Sequence, residues 1–244
     1  MSDPAIDCYL ICATPRTGST LLCGLLESSG VAGHPASYFN RRSLQHYADE
    51  WQIDRPRDGR IDEAFVRAAI TAGRTPNGVF GCRIMGETMP ELLADLSPSR
   101  LESGAGDADL LSARFGRLRY VHLRRRDVVA QAVSWAKALQ THFWHADEEV
   151  LPGGEPAHYD EELIDRLTTE IKELEKFWAR WFISQGITAH EVVYEDLAAD
   201  PIGTAGAALE HLGLELPADR RLAIGYDRQA DQVNADWVAR FSNR

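Results

Sequence analysis

A chain of 244 residues, 44% hydrophobic and 26% charged, is long enough to bury one substantial core and polar enough for a globular α/β fold, read as a single domain over residues 1–244. Its formal net charge of −11 argues against a nucleic-acid partner, so an anionic ligand has to be held by local basic clusters and not by the general field. MSDPAID carries neither the basic nor the apolar segment of a secretory signal, and no stretch approaches a transmembrane span, which makes the cytoplasm the expected compartment.

The first predicted element is a buried strand over 8–13, the apolar run CYLICA. Thr14-Pro15 ends it, because proline cannot donate to a ladder. Arg16-Thr17-Gly18-Ser19-Thr20 follows and leads into a helix over 18–29, closed by Gly30. A strand, a tight Gly-containing turn and a helix start make an anion site, where backbone N–H groups converge and the helix end adds partial positive charge. Ser19 and Thr20 add hydroxyl donors, and Arg16 adds a planar, bidentate charge. The ligand class is phosphate or sulfate. A nucleotide P-loop needs G-x-x-x-x-G-K-[ST]; T-P-R-T-G-S-T has one glycine and no lysine before the hydroxyl, which counts against an ATP-dependent small-molecule kinase.

GVAGHPASYFN reads as a Gly/Pro-punctuated loop anchored by Val31, Tyr38 and Phe39. Helices are expected over 43–52 and 62–72, and VFGCRIM (79–85) is a second buried strand. Helices over 89–96 and 108–115 flank the Ser/Gly-rich SPSRLESGAGD. RLRYVHLRR (117–125) is a third strand, after which Asp127 N-caps a helix over 128–140. Residues 147–158 form an acidic surface loop, 160–184 a long amphipathic helix, HEVVYEDL a fourth strand and 200–213 a further helix. Strands alternating with helices imply a central parallel sheet flanked by helices, with ligands beyond its carboxyl edge. The PRTGST and RRRD turns both fall on that edge. Cys8, Cys12, Cys23 and Cys82 show neither zinc spacing nor a disulfide framework and read as buried thiols.

PRTGSTLL resembles the 5′-phosphosulfate loop of sulfotransferases, which use 3′-phosphoadenosine 5′-phosphosulfate (PAPS). GSTLL, GVAGHP, RTPNGVFG, DVV-QAVSW and RQADQ---WV-R, in this order between residues 14 and 240, are similar to the bacterial trehalose 2-sulfotransferase family, which includes lipopolysaccharide-type sulfotransferases. The resemblance implies a P-loop-like sulfotransferase fold, a homodimer, PAPS as donor with PAP as product and no metal, and in-line sulfuryl transfer to a carbohydrate or glycolipid hydroxyl. It implies that Arg16, Thr17, Gly18, Ser19, Thr20 and Leu21 hold the 5′ end of the donor, with Arg16 also neutralising charge on the leaving phosphate. Arg125 with Ser134 is expected to hold the 3′-phosphate, although Arg126, in place of the family's proline, leaves either arginine open. Arg228, Gln229 and Trp237 are expected to close over the cofactor. Where the family has glutamate in G-E-P, this chain has Gly33-His34-Pro35, so His34 is expected to take the acceptor proton. Arg83, where the family tends to have lysine, is expected at the leaving phosphate or the acceptor, and Glu87 is the reserve carboxylate base. The non-enzyme alternative is a PAP/PAPS-binding module that has lost catalysis at position 34.

Overall fold

The run CYLICA forms β1 (Cys8–Ala13), and every one of its residues is buried. In the computed structural model, which describes residues 6–96, 106–141, 157–225 and 232–243, this strand lies inside the sheet. It pairs in parallel with β2 (Phe80–Met85) on one side and β3 (Leu118–Arg124) on the other; β4 (His190–Val193) joins the outer side of β3, giving the order β2-β1-β3-β4. Ala13 sits opposite both Met85 and Leu123, so three strands reach the carboxyl edge level with one another. A flush edge brings the turns that leave β1, β2 and β3 side by side.

Between β1 and β2 run α1 (Ser19–Ser28), a 3₁₀ turn (Arg41–Ser43), α2 (Leu44–Glu50) and α3 (Glu63–Gly73). Then come α4 (Thr88–Leu96) and α5 (Asp107–Phe115) before β3, and α6 (Val128–Thr141) and α7 (Glu161–Ser184) before β4. The chain ends with α8 (Tyr194–Ala199), α9 (Pro201–Leu212) and α10 (Gln232–Ser242). As the sequence predicts, Asp127 caps α6, its Oδ1 accepting from the Ala130 N–H at 2.8 Å.

Side chains alternate across β1 with a period of two, so the strand feeds two cores. Cys8, Leu10 and Cys12 join Phe39, Phe65, Phe80 and Trp178 on one face. Tyr9, Ile11 and Ala13 join Leu22, Leu25, Leu26 and Leu209 on the other. Leu22, Leu25 and Leu26, three of the four leucines of α1, are fully buried, and each such burial stabilises by roughly 1.5–3 kcal/mol. A third cluster packs α6, α7 and α10 together. All four cysteines are buried and free.

Two elements depart from the sequence reading. HEVVYEDL is a strand only as far as Val193; from Tyr194 it turns into α8. Glu195 and Asp196 stand in the first helical turn, where carboxylates are favoured by the partial positive charge of the helix end. Helix α10 occupies the C-terminal stretch, which carries an apolar face through Trp237 and Phe241. The loop expected at 97–107 and the acidic loop at 147–158 lie mostly outside the described residues. Among those residues, no helix is long and apolar enough to cross a membrane.

Candidate active site

The carbonyl of Ala13, the last residue of β1, accepts from Trp178 Nε1 of α7 at 3.0 Å and from the Gly86 N–H beyond β2 at 3.1 Å. From this anchored point the chain turns sharply. The Thr17 hydroxyl donates back to the Thr14 carbonyl at 2.9 Å. Arg16 (φ 64°) and Gly18 (φ 80°) both take the left-handed conformation, with Thr17 between them at negative φ. Alternating hands aim successive N–H groups inward, which makes an anion-binding nest at the start of α1. Glycine adopts such a φ freely, whereas for Arg16 it costs on the order of 1–2 kcal/mol. Gly18 is doubly constrained, since a Cβ there would fall 2.5 Å from Tyr194 Cδ2.

Arg16 is held from several directions. Its Nε donates to Ser134 Oγ of α6 at 3.1 Å, and its carbonyl accepts from Arg125 Nη1 at 3.4 Å. The Arg125 guanidinium lies 4.4 Å above the centre of the Tyr194 ring, a cation–π contact. Arg126 goes the other way: its Nη2 pairs with Asp196 at 2.5 Å, over an outer cleft of about 690 Å³ that it lines with Glu191 and Asp200 beside β4. The two arginines left open by the sequence are thereby separated, Arg125 turned to the loop and Arg126 away from it. Glu195 fixes the turn between them by accepting the Arg126 and Asp127 N–H groups, each at 3.1 Å. Partial burial pushes its carboxyl up, but these backbone bonds outweigh that and hold it below the usual range.

Opposite this cluster stands Arg83 of β2. Its Nη1 lies 3.2 Å from both Ser19 Oγ and Thr20 Oγ1, and its Nε donates to Ser37 Oγ at 2.8 Å. Among the described residues its hydrogen-bond partners are these hydroxyls, with no carboxylate to neutralise it. A half-buried guanidinium among neutral groups leaves positive potential at the loop, in a chain that is acidic overall. Leu21, by contrast, packs against the core beneath α1.

His34 is not brought to this cluster. Its Nδ1 sits 2.8 Å from Glu27 Oε1, and the two side chains are 47% and 49% exposed. Glu27 is eight residues along α1 from Ser19, about 12 Å of helix. The segment runs parallel to β2 with Ala36 bridged to Cys82, which sets His34 level with the start of that strand and Ser37 level with Arg83. The expectation that His34 serves the loop as base meets this placement at the far end of α1. Glu87 instead follows Gly86, whose N–H donates to the Ala13 carbonyl, at the carboxyl edge of β2. Open to water on one side, it is crowded enough on the other that burial pushes its carboxyl above the ordinary value; Glu170 and Glu91 add to this and Arg42 opposes it.

Trp237, expected over the cofactor, is 8% exposed, inside the α6–α7–α10 cluster and edge-on to Tyr159. Arg228 and Gln229 lie outside the described residues. Tyr194, which the sequence reading places inside the fourth strand, lies instead under Gly18 and Arg125 at the start of α8.

A family model described as Stf0 sulphotransferase matches residues 8–244. The chain is 32% identical over 254 aligned positions to a trehalose 2-sulfotransferase of Mycolicibacterium smegmatis, covering 96% of this chain and 93% of that one. It is 30% identical over 258 positions to a trehalose 2-sulfotransferase of Mycobacterium tuberculosis, covering 97% and 95%. The crystal structure of a sulfotransferase from Alicyclobacillus acidocaldarius aligns over 100% of this chain and 96% of that one, at 14% identity and a TM-score of 0.49. With the match running from β1 to the C-terminus, this chain belongs to the Stf0 sulfotransferase family.

Proposed function

We propose that the protein transfers the sulfuryl group of PAPS to a hydroxyl of a carbohydrate, trehalose or a related glycolipid being the first acceptors to consider, and releases PAP. The observation that carries this reading is the pair of cationic clusters on one loop. Arg125, Arg16 and Ser134 meet on one side of it, while Arg83 meets Ser19 and Thr20 on the other. A ligand with two separated anionic groups uses both clusters; a nucleotide with a single phosphate leaves one of them unmet. The residues therefore fit a 3′,5′-substituted donor. The relatives' names supply the acceptor class.

PAPS brings the activated sulfuryl group, and the rest is asked of the chain. The nest N–H groups, Ser19, Thr20 and Arg83 hold the 5′ side, where Arg83 and Arg16 neutralise charge that grows on the leaving phosphate. Arg125 and Ser134 take the 3′-phosphate by charge-assisted hydrogen bonds. Glu87 takes the acceptor proton at its carboxylate. A carboxyl whose pKa is raised is a stronger base than an ordinary one, and Glu87 stands at the edge where the loop opens. His34 is the second reading, favoured by its Glu27 partner, which can orient an imidazole as a base requires.

Calorimetric titration with PAP, adenosine 5′-phosphate and ATP tests the donor. PAP is expected to bind much more tightly than the other two, and Arg125→Ala to erase its advantage over adenosine 5′-phosphate. Equal affinity for the three nucleotides overturns the reading.

A further inference from the structure

Arg16 holds a left-handed backbone that an arginine does not adopt unaided, so something outside the loop has to keep it there. The geometry points to α6. Gln131 and Ser134 stand three residues apart on one face of that helix. Ser134 meets the Arg16 side chain, and Gln131 reaches one peptide further back. Its Nε2 donates to the Pro15 carbonyl at 2.6 Å and to Thr14 Oγ1 at 2.9 Å. The Pro15 carbonyl belongs to the peptide plane that begins the Arg16 N–Cα bond, so holding its direction while Arg125 holds the Arg16 carbonyl restrains the φ of Arg16 from both sides.

Gln131 is itself aimed. Thr14 accepts from the amide and donates its own proton to Glu175 Oε1 of α7 at 3.0 Å, and both Thr14 and Gln131 are fully buried. The orientation of the amide follows from the Pro15 carbonyl, since turning it over would set two oxygens against each other. One atom is left over: Gln131 Oε1 is buried with no hydrogen-bond partner among the described residues. A buried, unmet carbonyl is a cost that an apolar side chain of similar size would avoid. The amide is present for its donor end, and that end serves the peptide before Arg16.

We propose that Gln131 is a positioning residue for Arg16, holding the Pro15 carbonyl, and through it the left-handed Arg16, in the conformation that presents the guanidinium to the anion. This rests on reading the loop as the PAP site. The test is a double-mutant cycle on PAP affinity, measured by calorimetry, with the ligand-free melting temperature recorded for each protein. Gln131→Met is expected to weaken PAP binding roughly tenfold in the wild-type background. In Arg16→Gly, where the side chain is gone and glycine takes a positive φ without help, the same change is expected to have about a twofold effect or less. Equal losses in both backgrounds would make Gln131 a general packing residue and overturn the proposal, as would no loss in either. Should Gln131→Met fail to fold, Thr14→Val removes the hydroxyl that aims the amide. Its coupling to Arg16→Gly reads the same quantity: a loss confined to the Arg16 background supports the proposal, and equal losses or none overturn it. Wild-type protein that binds no PAP would bring down the donor reading first, and this inference with it.

Discussion

Arg16 concentrates the residue-scale chemistry: strained backbone, a bond to Ser134, and a carbonyl held by Arg125. Arg16→Ala is expected to weaken PAP binding by about 1.5–3 kcal/mol, the worth of a charge-assisted contact, as read by calorimetry. Ser19→Ala is expected to lose less, because Thr20 and the nest N–H groups remain. The base is separated by pH. Glu87 acts only when ionised, and burial raises its pKa, so wild-type activity is expected to fall on the acid side above the ordinary glutamate value of about 4.3. Glu87→Gln should cut turnover by about 10²–10⁴-fold and leave PAP affinity nearly intact, while His34→Ala keeps most of the rate. If His34→Ala instead abolishes turnover and Glu87→Gln does not, the base is His34.

At the scale of elements, the loop is aimed by what the strands and helices around it hold. Trp178 of α7 is fully buried and ties the end of β1 through the Ala13 carbonyl. Trp178→Phe keeps an aromatic ring and loses the N–H, with an expected cost of about 1–3 kcal/mol in denaturant unfolding. At the other end of the sheet, Asp7 is gripped by Arg117, whose side-chain and backbone hydrogen bonds lower its carboxyl to about 2. A lowered pKa means that the native state resists protonation. The stability from this pair is present above the ordinary aspartate range and fades as the pH falls from about 4 toward 2. Asp7→Asn is expected to flatten the acid limb of a melting-temperature profile over that interval and leave the profile above it parallel to wild type.

Elements like these were legible in the sequence because they rest on short-range facts: CYLICA is too apolar to be anything but buried, and Asp127 precedes an amphipathic run. Relations between distant elements were less so. Arg125 and Arg126 are neighbours in the chain, and only Asp196, 70 positions away, draws one of them outward. His34 sits in a motif whose letters do not say how far up β2 the chain has climbed, and its pairing with Glu27 sets it low. An indole on an amphipathic helix reads alike whether it stacks on a ligand or fills a core, and Trp237 fills the core. The links that join Arg83 to Ser37 and Gln131 to Pro15 cross 46 and 116 positions, beyond the reach of any local pattern.

For the whole molecule, a net charge of −11 surrounds the loop that we propose takes a polyanion, so affinity has to come from the few arginines aimed inward. What they hold, and whether it is passed on, is decided by one measurement: incubating the purified protein with PAPS carrying radiolabelled sulfate, together with trehalose and a screen of neutral glycolipids, and following the label. Label is expected on a carbohydrate hydroxyl, with one PAP released for each sulfate transferred and transfer lost in Arg16→Ala. PAP bound tightly by a protein that moves no label to any carbohydrate would contradict the proposed transfer and leave a nucleotide-binding module in its place.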